Sequence, residues 1–177
     1  MQPLLLIEGG QKNMAGIQLL HVLAALCFSL ATGVVTLAAP PPTFFVEGRV
    51  YCDTCRAGFE TPATVYIAGA KVRVECKHFL SDAVEHTAEG LTDASGTYRI
   101  ELADDHEEQT CEVVLVESPV AGCSEITGGR ERARVLVAGN SGLSSNVRYA
   151  NALGFLKDEP LPLCGFLLRQ YALGDDE

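Results

Sequence analysis

Five stretches of this chain place apolar side chains at every second position or run in valine and aromatic residues: 44–51, 70–76, 96–102, 111–117 and 132–138. A period of two is the pattern of strands with one buried face, and it constrains the fold more than any other feature. Along the second stretch Ala70, Val72, Val74 and Cys76 share one side while Lys71, Arg73 and Glu75 share the other. Residues 63–67 and 83–92 are weaker strand candidates. Turn-forming clusters separate the stretches; in "TDASGT" (92–97), Asp93 can bond its own backbone and Gly96 can take a positive φ. The pattern predicts an all-β fold of about seven short antiparallel strands in a sandwich or barrel. From Ser145 onward the chain reads as a loop-like tail that Cys164 must anchor.

Ahead of the first strand, residues Ile17 to Ala39 contain no Asp, Glu, Lys or Arg and end in small residues. That is the grammar of a secretory signal, with a cut expected near Ala38 or Ala39 and Gly33 as an earlier option. Met14 would be a more ordinary start than Met1, which makes residues 1–13 dispensable or an extra segment. An uncleaved anchor is the competing reading, since the apolar stretch could just span a bilayer; after cleavage no stable membrane insertion is expected. The organisation expected is a signal over 1–39, a stiff proline linker over 40–43, a β-domain over 44–168 and an acidic tail over 169–177. The net charge of −10 is unchanged by losing the leader, whose one acid (Glu8) and one base (Lys12) cancel. So acidic a chain lacks the basic patches of nucleic-acid binders.

Of seven cysteines, Cys27 lies in the leader, and Cys52, Cys55, Cys76, Cys111, Cys123 and Cys164 remain. An even number in a secreted chain reads as a disulfide framework, with 15 pairings open from spacing alone. Two alternatives for Cys52-x-x-Cys55 carry less weight. A thioredoxin-like centre needs a βαβ context, and here strand-like flanks lead into no helix. A zinc site needs a second closely spaced pair; only Cys76-x-His78 offers one, in a compartment that oxidises thiols.

The stretch "EGRVYCDTCR", Glu47 to Arg56, resembles the signature of the pollen Ole e I allergen and extensin family of plant secreted proteins. The match falls on Glu47, Gly48, Val50, Tyr51, Cys52, Asp53, Cys55 and Arg56, with any residue allowed where Arg49 stands. "GAKVRVEC", "TDASGTY", Cys111, Cys123 and "YANALGFL…LPLC" follow in the family's order, so the resemblance covers about residues 44–168. It implies a compact β-rich domain with three bridges, Cys52–Cys123, Cys55–Cys164 and Cys76–Cys111, in which the CxxC cysteines do not pair with each other. It also implies a place in wall organisation, pollen-tube growth and allergenicity. Two departures are visible: no Asn-x-Ser/Thr sequon is present, since Asn140 and Asn146 both fail the pattern, and there is no long proline-rich tract.

Catalytic and metal motifs are weak. Ser141 in "GNSG" lacks the spacing of a nucleophile elbow and reads as a turn. His78, His86 and His106 show no i, i+4 metal spacing, and "DDHEE" (104–108) lacks the glycine and alternating ligands of a calcium loop, so a polar hairpin tip is expected. No cofactor is expected, and the chain is read as no enzyme. The one surface feature singled out is Arg130, Arg132 and Arg134: on a strand, positions i, i+2 and i+4 face one side. Such a guanidinium row could grip an acidic wall polysaccharide such as galacturonate; the competing reading pairs these arginines with Glu101 or Glu112. The expected function is therefore a secreted, non-catalytic matrix or interaction module of the plant cell wall, binding acidic glycan or, alternatively, an extracellular protein such as a receptor. A wall-acting enzyme is the weakest of the three readings.

Overall fold

The computed structural model describes residues 40–81 and 83–171; the expected signal and its cleavage site, the alternative start at Met14, and residues 172–177 of the acidic tail lie outside these. The described chain is built from β1 (Thr43–Asp53), β2 (Val65–Tyr66), β3 (Lys71–His78), β4 (Val84–Leu91), β5 (Thr97–Ala103), β6 (Gln109–Glu117), β7 (Arg132–Val135), β8 (Val147–Tyr149), β9 (Leu153–Leu156) and one short helix, α1 (Cys164–Arg169). Among the described residues no helix is long and apolar enough to cross a membrane.

The strands form two sheets. In the first, β1 is central, with β2, β5, β8 and β9 all paired to it; the second runs β4-β3-β6-β7. The expected alternation holds where it is strongest. Val72, Val74 and Cys76 of β3 are buried and their odd-numbered neighbours are partly exposed, while Tyr98, Ile100 and Leu102 of β5 face the same core. Phe44, Val46, Val50 and Cys52 bring β1 into it, and Val113 and Leu115 bring β6. The core lies between the sheets, as in a sandwich.

Two differences from the sequence reading follow from long-range pairing. The segment read as a loop-like tail contains β8 and β9, which run parallel to β1: Phe45 faces Val147, and Val50 faces Leu153. Three- and four-residue strands carry little local signal, and their partner is about a hundred residues away. Thr43, assigned to the linker, is the first residue of β1 and pairs with Ala103.

The turn at 92–96 carries the chain from β4 in one sheet to β5 in the other. Asp93 Oδ1 accepts from the amides of Ser95 (2.8 Å) and Thr97 (3.0 Å), and Gly96 takes φ 75°. Thr92 locks the corner, its hydroxyl donating to Ile67 O (2.6 Å) while accepting from Ala70 N (2.8 Å). Cys76 and Cys111 stand directly opposite each other on β3 and β6 and are bonded, with Cα atoms 4.0 Å apart. Cys52 is bonded to Cys123 and Cys55 to Cys164, with Cα separations of 6.0 and 5.3 Å.

Candidate functional site

The signature from Glu47 to Arg56 builds a scaffold first. Gly48 lies under Tyr98, where a Cβ would stand 2.2 Å from the phenol oxygen, so only a hydrogen fits. Asp53 is buried, and its two carboxylate oxygens accept from Cys55 N (3.2 Å) and Gly58 N (2.7 Å), closing the turn after β1. Arg56, at φ 53°, reaches back with a fork: its Nη atoms donate to both oxygens of Glu125 (2.6 and 2.9 Å), and Nη1 also donates to Lys157 O (2.7 Å). Segments 69 and 101 residues away are thereby tied to one side chain. The guanidinium holds the Glu125 carboxyl below its usual range. Both CxxC sulfurs are committed to distant partners, which leaves no dithiol for redox chemistry.

On that scaffold the outward positions of β1 and β2 form a cleft. Tyr51 and Tyr66 are cross-strand partners. The Tyr51 ring is the buried floor, pressed so closely by β9 that a Cβ on Gly154 would come within 2.7 Å of it. Burial raises the Tyr51 pKa, opposed by the nearby charge of Arg130. Phe59, Glu60, Arg130, Asn151 and Ala152 complete the walls of a space of about 400 Å³. Tyr66 stands beside it, its hydroxyl donating to Glu60 Oε1 (2.7 Å), and that bond to a carboxylate is the first cause of its raised pKa. Arg49 stacks on the Tyr66 ring, 3.3 Å from the centroid. Arg130 is fixed by its Nε, which donates to Gly58 O at 2.6 Å. Phe59 meets Tyr171 edge-on at 5.1 Å. Among the described residues neither Arg49 nor Arg130 has a carboxylate within ion-pair distance, unlike Arg56, Arg73, Arg99, Arg132 and Arg134.

The expected arginine row is therefore not one surface. Arg132 and Arg134 do share the outer side of β7, but both turn to Glu112 on β6, at 2.6 and 3.5 Å. Arg130 precedes β7, in a turn, and belongs to the Tyr51 cleft. Alternation holds only while the chain is a strand, and β7 starts two residues after Arg130. Of the residues in and beside the cleft the sequence reading singled out Arg130 and Tyr51 but passed over Phe59, Glu60 and Asn151 in its walls and Arg49 and Tyr66 beside it. The available signal was the outward phase of β1, which puts Arg49 and Tyr51 on the same side.

The other candidates resolve as structure. Ser141 accepts from the Arg148 guanidinium (3.3 Å) and lies in a bend just after the turn at Gly139 and Asn140. His106 is not at an exposed tip: it is buried, with Nδ1 2.6 Å from Gln109 Oε1 and Nε2 3.1 Å from Ala103 O. Cys76, Cys111 and His106 converge within 4.8 Å, but both sulfurs are consumed by their mutual bond, so this is no thiolate metal site. The segment 104–108 is the crossing from β5 to β6, where Asp105 accepts from the amides of Glu107 (3.0 Å) and Gly139 (2.9 Å).

Comparison with known proteins places these features in context. The family described as "Pollen protein Ole e 1 like" matches residues 42–172. The chain is 56% identical over 136 residues to the pollen-specific protein C13 of Zea mays, covering 77% of this chain and 80% of that one. It is 48% identical over 135 residues to the pollen allergen Phl p 11 of Phleum pratense, covering 76% and 94%. Among solved structures, the crystal structure of the major plantain pollen allergen Pla l 1 superimposes with a TM-score of 0.62 at 31% identity, covering 68% of this chain and 98% of that one.

Proposed function

Because the chain belongs to the Ole e 1-like family of pollen proteins, we propose that it is a secreted, non-catalytic recognition module of the pollen wall and apoplast. Its relatives are pollen-specific proteins and pollen allergens. A role in wall organisation or pollen-tube growth, an extracellular location and allergenicity are inferred from that kinship together with the three buried bridges, which persist in an oxidising compartment.

The observation that carries the reading is the cleft over Tyr51. It offers the Arg130 guanidinium, which has no carboxylate partner among the described residues, the Phe59 ring and the Asn151 amide, with Tyr66 and the Arg49 stacked on it beside the opening, all held on a disulfide-tied turn. That is an equipment for binding. Chemistry would need a nucleophile beside a base; among the described residues Ser141 is engaged by Arg148, and His106 is enclosed by Gln109 and Ala103. An acidic wall glycan is the partner class this donor set favours. The test incubates the secreted protein with isolated pollen-wall polymers, scoring retention and any released oligosaccharide. Retention without product is expected; catalytic release of fragments would sink the reading.

A second reading, a protein ligand for an extracellular receptor, is favoured by the β3–β4 connection. Phe79 and Leu80 stand 63% and 91% exposed there, as anchors for a partner would. Phe79→Ser and Leu80→Ser would abolish capture of a receptor ectodomain in this case and leave glycan retention untouched.

A further inference from the structure

The recognition reading leaves open where a glycan sits and of what kind it is. Resting on that reading, we infer that the Tyr51–Tyr66 cleft is the subsite and that it takes a largely neutral oligosaccharide carrying an isolated uronate, in preference to a densely charged polyuronate.

The geometry favours a carboxylate held by the Arg130 fork. Arg130 lines the cleft and spends its Nε on Gly58 O, which fixes the plane of the guanidinium and leaves its two Nη groups without a hydrogen-bond partner among the described residues. Paired N–H donors at this spacing match the two oxygens of a carboxylate. Arg49, beside the cleft, is fixed differently, over the Tyr66 ring with one Nη donating to Ser95 O (3.3 Å). Both guanidiniums are therefore anchored before a ligand arrives, which lowers the entropy cost of ordering them. The Phe59 ring in the wall and the exposed Tyr66 ring beside it supply edges for the apolar C–H surface of a pyranose over the closed floor of Tyr51, and Asn151 supplies an amide for hydroxyls. The space of about 400 Å³ suits a short segment of a chain.

The electrostatics select against a polyanion. Glu60 stands in the same cleft, bonded to Tyr66. Glu47 lies two positions before Arg49 on the outer side of β1, paired to Arg99, and the whole chain carries −10. Arg130 in the cleft and Arg49 beside it, neither paired to a carboxylate among the described residues, neutralise one or two carboxylates; each further uronate would meet carboxylates and the repulsion of the whole molecule. Arg132 and Arg134 provide no extension of the basic surface, because both are engaged by Glu112.

The experiment uses the protein as secreted by a plant host and three tetrasaccharides: a galacto-oligosaccharide ending in one glucuronate, its neutral parent, and an oligogalacturonide of equal length. Affinities come from calorimetry, and the location from NMR shifts of tyrosine ring and arginine side-chain signals. The capped sugar is expected to bind most tightly and to shift Tyr51, Tyr66 and Arg130. Its affinity should fall roughly tenfold or more in the Arg49→Gln/Arg130→Gln variant and stay unchanged in Arg132→Gln/Arg134→Gln. Equal binding of the neutral parent, tighter binding of the oligogalacturonide, or shifts confined to β7 would overturn the assignment. If no sugar perturbs the cleft while the protein is still retained on whole wall polymers, the subsite falls and the recognition reading stands. If the wall polymers fail to retain it as well, both fall.

Discussion

Tyr98 shows how one residue can carry a cost that its neighbours impose. Its ring fills the core against Gly48, but its hydroxyl is buried with no hydrogen-bond partner among the described residues, and burial raises its pKa. An unpaired buried hydroxyl is unfavourable while the ring is favourable. Tyr98→Phe is therefore expected to be neutral or to stabilise by up to about 1 kcal/mol in urea unfolding. Gly48→Ala has the opposite sign, because its Cβ would stand 2.2 Å from that oxygen. A loss of about 1–3 kcal/mol is expected from the overpacking. A marked destabilisation by Tyr98→Phe would show that the hydroxyl has a partner, such as a buried water.

At the scale of elements, β1 organises the fold, and the short strands β8 and β9 exist only because it does. What delivers β8 is the loop before it, and that loop is held by Arg148. The guanidinium is buried, with no carboxylate among the described residues in contact. It donates instead to the carbonyls of Ala138 (2.8 Å), Val147 (3.2 Å) and Ser145, and lies 4.9 Å from the Phe44 ring centroid. Arg148→Met keeps the stem and leaves those carbonyls bare. A loss of about 2–4 kcal/mol is expected, together with faster amide exchange across 138–147; unchanged exchange there would refute the role. The helix α1 depends on a covalent tether, since Cys164 is its one buried residue. Cys55→Ala/Cys164→Ala should expose 161–171 to proteases at low protease concentration while the sheets stay folded.

For the whole molecule the bridges and the charges set the working range. The loops closed by Cys55–Cys164 and Cys76–Cys111 span separations of 109 and 35 residues. Loop entropy then assigns them about 5 and about 4 kcal/mol as upper figures, so paired alanine variants should lose more stability at the first than at the second. The pH dependence has a definite sign. Glu125 is lowered by its bond to Arg56, Glu89 by Lys71 and then Arg73, and Asp93 by Ser95. Groups with depressed folded pKa values stabilise fully above the unfolded carboxylate value of about 4 and lose that contribution as the pH falls through the folded values. Tyr51 and Tyr66 are raised, so their contribution is present below about pH 10 and is lost on going higher. A melting temperature flat between these limits and falling on both sides is expected from calorimetry at intervals from pH 2 to 11; a maximum at acid pH would contradict it.

What the sequence determined by itself is what short-range periodicity can encode. The alternation from Ala70 to Cys76 assigned a strand and its buried face, because side-chain direction depends only on neighbours. The even cysteine count and the signature at Glu47–Arg56 pointed to a stapled β-domain of a particular family. The tertiary structure alone decided the rest. It made strands of 147–149 and 153–156, because parallel pairing to β1 is a long-range contact with no local pattern. It broke the arginine row, because Arg130 falls outside β7 and turns toward Gly58, 72 residues away in the chain. It also assembled Tyr51, Phe59, Glu60, Arg130 and Asn151 into one cleft, with Tyr66 and Arg49 beside it. Residues spread over a hundred positions meet only when the register of β1 with its partners and the turns after it are set, and that register is fixed by burial summed over the whole core.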